Sequence, residues 1–268
     1  MPPLKALLLA GGYGSRLKPL TNIWPKCLMP VGGKPLLEFW IEKLLEFNVE
    51  EILVNIHYFP EEVIDFLNRD KFRDIVTWSY EETLLGTAGT LIQNKDFFDG
   101  SEIFLAHADN FCTADLKSFL KTHKNRDKNC LMTMMTFDAT NPRACGIVTH
   151  NNKKVMNGFY EKVSNPPSNL ANGAVYLLGE NFLDWLSSQE AAFDFSLDVL
   201  PNLIGKVQLW KNEGHHVDIG TIENFLLVQD LFPKRNFFNT GTSLDQWSKD
   251  FLNHPIHNLL QNLYKDND

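Results

Sequence analysis

The stretch from Ala10 to Arg16 reads AGGYGSR: three glycines and a serine, ending on an arginine. Glycine lets a backbone turn tightly and lets its N–H groups approach the oxygens of a ligand. An arginine just beyond adds a planar fork of donors that matches phosphate. The chemistry on offer is the holding of a phosphorylated ligand by Gly11, Gly12, Gly14 and Arg16. Charge placement agrees, because Lys5, Arg16, Lys18, Lys26 and Lys34 all precede the first acid, Glu38. The first 37 residues therefore carry +5, and with a net charge of −8 the rest of the chain carries −13. A cationic loop on an acidic chain implies a small anionic ligand held at one place. A solvated basic surface, and for a bare GGxG a plain turn, are the competing readings. The loop is not a GxxxxGK[ST] phosphate loop, and Leu17 stands where the dinucleotide fingerprint needs its third glycine, which weakens a dehydrogenase reading.

The elements that must position this loop alternate through the first half. Short apolar runs at residues 4–10, 51–57, 75–80, 102–108 and 130–137 read as strands. Between them, residues 36–47, 61–68, 89–93 and 115–123 read as helices, the first two preceded by Pro35 and Pro60. This β-α-β-α order predicts an α/β fold with a Rossmann-like, mostly parallel sheet flanked by helices. The glycine loop follows the first strand directly, at the strand end where open sheets of this kind bind ligands. Beyond Asn141 shorter strands at 146–149, 155–161 and 173–178 suggest a small, partly antiparallel insertion over the sheet edge. Helices at 180–186, 196–203 and 222–231 are expected, with strand-like VQLW and HHVDIG segments among them. Residues 1–232 read as the main domain. Residues 233–268 read as a helical appendage, with helices at 244–252 and 256–264, that could supply a contact in a homo-oligomer such as a dimer.

Bulk properties narrow the classes. The hydrophobic fraction is 44% and the charged fraction 22%, ordinary values for a soluble globular protein. No run is long enough to span a membrane, and residues 4–10 are too short for a signal peptide. The net charge of −8 argues against a nucleic-acid polymer or an anionic membrane as partner. Four cysteines without CxxC pairing suggest a reduced, cytoplasmic compartment.

A longer pattern is more specific than the loop alone. The run G-G-x-G-S-R-L-x-P-L-T, then P-K-x-L-x-P-V, then G-x-K-P-L-L closely resembles the sugar-phosphate nucleotidylyltransferase family. The resemblance extends over residues 4–232 in element order and is strongest through residue 40. It implies the nucleotide-diphospho-sugar transferase fold and, as substrates, a nucleoside triphosphate and a sugar 1-phosphate. Ala10, Gly11, Gly12, Gly14 and Ser15 would then wrap the nucleotide phosphates, with Arg16 on the departing pyrophosphate. Lys26, in WPKCLMP, would neutralise charge at the α-phosphate; Cys27 stands where the family more often has a second proline. EETLLGTAGT is similar to the family's E-x-x-x-L-G-T-A-G segment and would set Glu81, Gly86, Thr87 and Ala88 near the nucleoside. Thr87 is equally expected to cap a helix there.

Further along, the resemblance points to Asp109 in AHADN, where the family usually shows N-G-D, and to Asp218 in VDIGTIENF. Two carboxylates from distant segments, each at a strand end, suit Mg²⁺, which completes its shell with phosphate oxygens and water. The adjacent pair His215 and His216 lacks the spacing of a zinc site and reads as structural. On the acceptor side the resemblance implies Lys162 on the sugar phosphate, Glu161 and Asn172 on sugar hydroxyls, and Gly146 packed close to the sugar. Val163 and Ala174 depart from the family's proline and glycine. The reaction implied is Mg²⁺-dependent nucleotidyl transfer with Arg16, Lys26, Asp109 and Lys162 catalytic. The opening and the GTAG segment look most like the guanylyl-transferring branch, which favours GTP; thymidylyl or uridylyl transfer and a non-catalytic binding module are the alternatives. HADN is not the D-x-D of a glycosyltransferase, and with no hexapeptide repeat no acetyltransferase half is expected.

Overall fold

The computed structural model describes residues 2–189, 192–232 and 244–267. The chain opens with β1 (Leu4–Leu9), and a small hairpin of β2 (Pro30–Val31) and β3 (Lys34–Pro35) leads into α1 (Leu36–Glu46). Alternation continues through β4 (Glu51–Ile56), α2 (Pro60–Leu67), β5 (Val76–Tyr80), α3 (Gly86–Gln93) and β6 (Glu102–His107). Then come β7 (Asn110–Cys112), α4 (Leu116–Lys124) and β8 (Met132–Asp138). The second half adds β9 (Gly146–His150), β10 (Met156–Glu161), β11 (Leu170–Leu178), α5 (Phe182–Ser187), β12 (Val207–Lys211) and β13 (His216–Asp218). Three helices follow: α6 (Ile222–Asp230), α7 (Gln246–Leu252) and α8 (Ile256–Asn267).

Among the described residues nine strands share one sheet. β5, β4, β1 and β6 are parallel neighbours in that order. β11 runs antiparallel between β6 and β8, and β12 lies parallel to β8. β8 therefore points the same way as β6, and the carboxyl ends of β1, β4, β6 and β8 open onto one edge. The β9–β10 hairpin meets β11 at Ala171 and Ile147, and a bridge from Val155 to Gln208 lays its start against β12. This is the partly antiparallel portion expected from the sequence.

Side-chain alternation explains why the apolar strands are stable there. Ala6, Leu8, Ile52, Val54, Phe104 and Ala106 enter the hydrophobic cluster on one face, which also holds the buried stripe of α1. Leu7, Leu9, Leu53, Ile103 and Leu105 enter the cluster on the other. A strand buried on both faces needs a nearly unbroken apolar run, and β1, β4 and β6 have one. The single helix expected at 196–203 differs. It is a π turn (Phe195–Val199) running into a 3-10 turn (Leu200–Leu203), with Asp194 accepting from the N–H groups of Ser196 and Leu197. Pro201 lacks the N–H that a continuous α-helix would need.

The boundary expected at residue 232 opens onto residues 233–243, which lie outside the described residues. The helices beyond it pack onto the main body. Phe251 and Ile256 are buried in the same cluster as β1 and α1. Arg69 fastens them polarly: its Nε donates to Asp245 (2.7 Å), Nη2 to the Ser248 hydroxyl (2.8 Å) and Nη1 to Glu38 (2.7 Å). Its guanidinium also lies 4.8 Å from the Trp247 ring centre. Burial alone would raise the pKa of Asp245, but hydrogen bonds from Arg69 and Ser248 outweigh it and hold the value at about 2. A carboxyl near 3.9 when unfolded and lower when folded contributes fully above pH ~4 and loses that contribution as pH falls. Wild-type stability to denaturant should thus fall between pH ~4 and ~2 more steeply than that of Asp245→Asn. Parallel curves for the two proteins would show that this pair does not tie acid stability to the tail.

Candidate active site

The loop after β1 is built by close approach. The Ala10 N–H donates to the buried side-chain oxygen of Asn55 at 2.7 Å. A side chain on Gly11 would press on Asn55 and Leu84 at 3.1 Å, whereas one on Gly12 would meet nothing within 4 Å, so Gly12 leaves its backbone open. Gly14 adopts φ +61°, and a Cβ there would sit 2.7 Å from Thr21 and 3.1 Å from Lys26. Both the left-handed backbone and the tight contact require glycine. The Thr21 hydroxyl donates to the Gly14 carbonyl at 2.9 Å, and Ser15 begins the 3-10 turn that carries Arg16. Arg16 is exposed and reaches Asp218, Nη2 to Oδ2, at 3.3 Å.

Lys26 forms the centre. It is only 6% exposed, and its Nζ donates to Asp109 Oδ2 at 2.7 Å and to Asp218 Oδ1 at 2.8 Å. Burial opposes its charge, yet the two facing carboxylates outweigh that and hold its pKa above the ordinary lysine range. For Asp109 burial likewise works against charge, and Lys26, followed by His107, outweighs it and holds the carboxyl below its ordinary value. Asp218 arrives from far along the chain because β13 pairs antiparallel with β7, setting Asp218 opposite Asn110. The Ile219 N–H donates to the Asp109 carbonyl at 3.2 Å, and Asn224 Nδ2 donates to the Asp218 carbonyl at 2.9 Å. Two carboxylates thus converge on one cation, with oxygen donors only. That donor set suits a hard divalent ion whose remaining positions are filled by phosphate and water.

Glu81, Gly86, Thr87 and Ala88 form a neighbouring group at the ends of β4 and β5. Glu81 is buried, accepting from Asn55 Nδ2 (3.1 Å), the Leu85 N–H (3.1 Å) and the Thr90 hydroxyl (2.5 Å). Its carboxylate is occupied by the protein itself and joins the GTAG segment to the glycine loop through Asn55. Thr87 does not cap α3: the N-cap is Leu85 without a side-chain bond, and the Thr87 hydroxyl accepts from the Phe195 N–H at 2.7 Å. Gly86, at φ +74°, lies against the Phe193 carbonyl, which a Cβ would approach to 2.4 Å, and the Ala88 N–H donates to that same carbonyl at 3.0 Å. The clamp from residues 193–195 has no motif that sequence reading could find. Asn55 did carry a signal, a lone amide inside an otherwise apolar strand. Tyr13 was also missed, an exposed ring in the glycine loop whose hydroxyl bonds His57 Nε2 at 2.7 Å.

A second group lies at the ends of β9, β10 and β11. Gly146 pairs with Glu161 so closely that a Cβ would fall 2.5 Å from the carboxylate. Exposed Lys162, at φ +47°, pairs with Glu161 at 3.1 Å, while its N–H donates to the Cys145 carbonyl. Asn172 donates to the Tyr176 hydroxyl at 2.8 Å and accepts from the Ala174 N–H at 2.9 Å, across a register shift in β11. Ala174 has φ +49°, a left-handed position that explains the family's glycine there. His216 packs its ring on Phe137 at 4.8 Å and, among the described residues, leaves Nδ1 buried without a hydrogen bond; burial pushes its pKa down to about 4, so it is neutral near pH 7. Among the described residues no ion pair or hydrogen bond joins Glu161 and Lys162 to the Lys26 cluster. Asn172 adjoins Gly173, whose Cβ position is 3.6 Å from His216 Nε2, two residues from Asp218.

A family model described as nucleotidyl transferase matches residues 5–234. A mannose-1-phosphate guanyltransferase of Schizosaccharomyces pombe is 31% identical over 234 residues, covering 83% of this chain and 62% of its own length. Its Saccharomyces cerevisiae counterpart is 29% identical over 231 residues, covering 83% and 63%. The chain thus spans less than two-thirds of these curated relatives. By structure it is similar to a Bacillus anthracis protein solved with sucrose, at TM-score 0.76 and 21% identity, covering 92% of this chain and 99% of that one. HddC from Yersinia pseudotuberculosis complexed with GMP-PN matches at TM-score 0.70 and 24% identity, covering 87% and 100%. These two likenesses establish a common fold.

Replacing Glu81 with alanine would leave the Asn55 Nδ2 and Leu85 N–H donors without this acceptor, while the Thr90 hydroxyl keeps the Gly86 carbonyl at 3.0 Å. Glu81→Ala should lower unfolding free energy by about 3 kcal/mol, measured by urea denaturation. A loss below about 1 kcal/mol would show that the carboxylate is not what joins the two loops.

Proposed function

The chain belongs to the nucleotidyl transferase family, and we propose that it transfers a nucleotidyl group, GTP being the favoured donor, to a sugar 1-phosphate with release of pyrophosphate. The observation that carries this reading is the buried Lys26 ammonium held between Asp109 and Asp218 beside the glycine loop. The guanyltransferase names of the curated relatives support the choice of GTP and of a hexose phosphate acceptor.

In this reaction an oxygen of the sugar 1-phosphate attacks the α-phosphorus in line. A new P–O bond forms as the bond to the β-phosphate oxygen breaks, and that electron pair leaves with pyrophosphate. The nucleophile is already an anion, so no general base is required. The protein must bring together two anions that repel, and neutralise the charge that grows on the leaving group. Backbone N–H groups of Gly11, Gly12, Gly14 and Ser15 cradle the triphosphate, following the Ala10 turn. Arg16 and Lys26 add two positive charges at the phosphates. Gly86, Thr87 and Ala88 face the nucleoside, while Glu81 acts beneath them by holding their segment in place. Lys162 meets the acceptor phosphate, and Glu161, Asn172 and Gly146 shape the sugar side.

Asp109 and Asp218 are the residues that would hold Mg²⁺, and their convergence on one cation fits it. When bound, that ion supplies charge neutralisation at the phosphate oxygens.

The decisive measurement is pyrophosphate release with Mg²⁺, pairing GTP, dTTP, UTP, CTP and ATP in turn with hexose and heptose 1-phosphates. Release should require one nucleotide, GTP, together with one sugar phosphate. Folded protein that stays silent across the whole matrix would overturn nucleotidyl transfer. Lys26→Ala should lower kcat about a hundredfold, the cost of removing one preorganised charge. Near-wild-type turnover would remove Lys26 from the mechanism.

A further inference from the structure

Lys26 sits on a single 3-10 turn, Lys26–Leu28, closed by two bonds: Leu28 N–H to the Pro25 carbonyl at 3.0 Å and Met29 N–H to the Lys26 carbonyl at 3.2 Å. Such a turn has poor hydrogen-bond geometry and does not hold itself in one place. Its support comes from Trp24. The indole N–H donates across the turn to the Leu28 carbonyl at 2.9 Å, and the ring is almost wholly buried.

What buries that ring is the C-terminal segment. The His254 ring centre lies 4.1 Å from the Trp24 ring centre, Phe251 lies stacked at 6.0 Å and Trp247 at 6.4 Å. The three belong to α7 and the link to α8. That segment is itself fixed through the Arg69 bonds to Asp245 and Ser248, and through His257 Nε2 against the Phe251 carbonyl at 2.9 Å. α8 also packs beside the Leu20–Asn22 turn, which holds the Thr21 hydroxyl bonded to Gly14. The residues doing this lie beyond the stretch matched by the family model, which ends at residue 234.

We propose that the C-terminal helix pair is a positioning element of the active site: by packing His254, Phe251 and Trp247 on Trp24, it fixes the turn that delivers Lys26 to the two aspartates. The inference rests on the proposed nucleotidyl transfer for its catalytic consequence, but not for its structural one. Lys26 is buried with its Nζ held at 2.7 and 2.8 Å from two carboxylates, so a shift of the turn strains or breaks both bonds. A displacement of about 1 Å in such a group can cost on the order of a hundredfold in rate.

His254 is the residue to vary, being half-buried, so that its replacement spares the core. His254→Ala and His254→Phe both lose the bond in which His254 Nδ1 accepts from the Ile256 N–H. Only the second keeps a ring against Trp24. Hydrogen exchange at the Leu28 and Met29 amides and steady-state kinetics of pyrophosphate release would be read on wild type and both variants. In His254→Ala the two amides should exchange about tenfold faster. Its kcat should fall about ten- to a hundredfold while the nucleotide KM moves less than about threefold. His254→Phe should restore both readings. Unchanged exchange in His254→Ala overturns the proposal, as does faster exchange with unchanged kcat, or a KM that rises as kcat holds. If wild type releases no pyrophosphate from any pair, the functional reading fails by itself. Exchange at the two amides then decides whether the tail holds the turn.

Discussion

An ammonium buried between two carboxylates sets the terms for the rest of this molecule. Lys26 in an apolar setting would shed its proton, and Asp109 in the same setting would take one up. Each stays charged because the other is within 3 Å, with Asp218 completing the arrangement. Such a group of charges is stabilising only if its geometry is held tightly, since the cost of desolvation is fixed and the attraction falls with distance. The fold answers that demand from three directions. The β7–β13 ribbon sets the two aspartates side by side. Gly14 has no side chain to intrude on the lysine stem, from which a Cβ would lie only 3.1 Å. Trp24, packed against Phe251 and His254, bonds the turn that carries Lys26 through the Leu28 carbonyl.

A second constraint runs underneath. The carboxyl edge of a parallel sheet leaves polar backbone and side-chain groups at the rim of an apolar core, and each buried one needs a partner. Asn55 and Glu81 solve this together. The amide accepts from Ala10 and donates to Glu81, which in turn gathers Leu85 and Thr90. The glycine loop and the GTAG segment are thereby parts of one hydrogen-bonded network, and a satisfied network of this kind is rigid.

Most of the scaffold was legible because its signals are local. Parallel strands buried on both faces must be apolar runs, and proline marks where α1 and α2 begin. The glycine loop, Lys26 and the two aspartates could be placed by motif. What escaped was everything made by contacts between segments distant in sequence. A three-residue strand such as β13 has no periodicity, so nothing local announces its pairing with β7. Thr87 looked like a helix cap because a threonine at a helix start usually is one; here Phe195, distant in sequence, takes its hydroxyl. Glu81 looked like a ligand group, and only the positions of Asn55 and Thr90 reveal that its oxygens are already engaged. The tail read as an appendage because its amphipathic pattern does not say which surface will cover it.

The two halves of the site differ in a way that bears on selectivity. On the side proposed for the donor, Lys26 is buried and paired with two carboxylates while Gly12, Ser15 and Arg16 are exposed, so the charged centre stands beside an open loop. On the side proposed for the acceptor, Lys162 is exposed in a left-handed conformation, Ala174 occupies another, and His216 keeps a buried nitrogen without a partner among the described residues. Left-handed backbone at residues other than glycine costs on the order of 1 kcal/mol each and persists where the surroundings hold it. A phosphate is recognised by charge, which rigid cationic loops supply to any nucleotide. A sugar is recognised by the directions of its hydroxyls, and discrimination there comes from buried polar groups that only the right hydroxyl can satisfy. On the proposed reading, acceptor choice falls to the second group, in which Asn172 is already oriented by Tyr176 and Ala174, and the Lys26 centre serves whichever sugar phosphate that group admits.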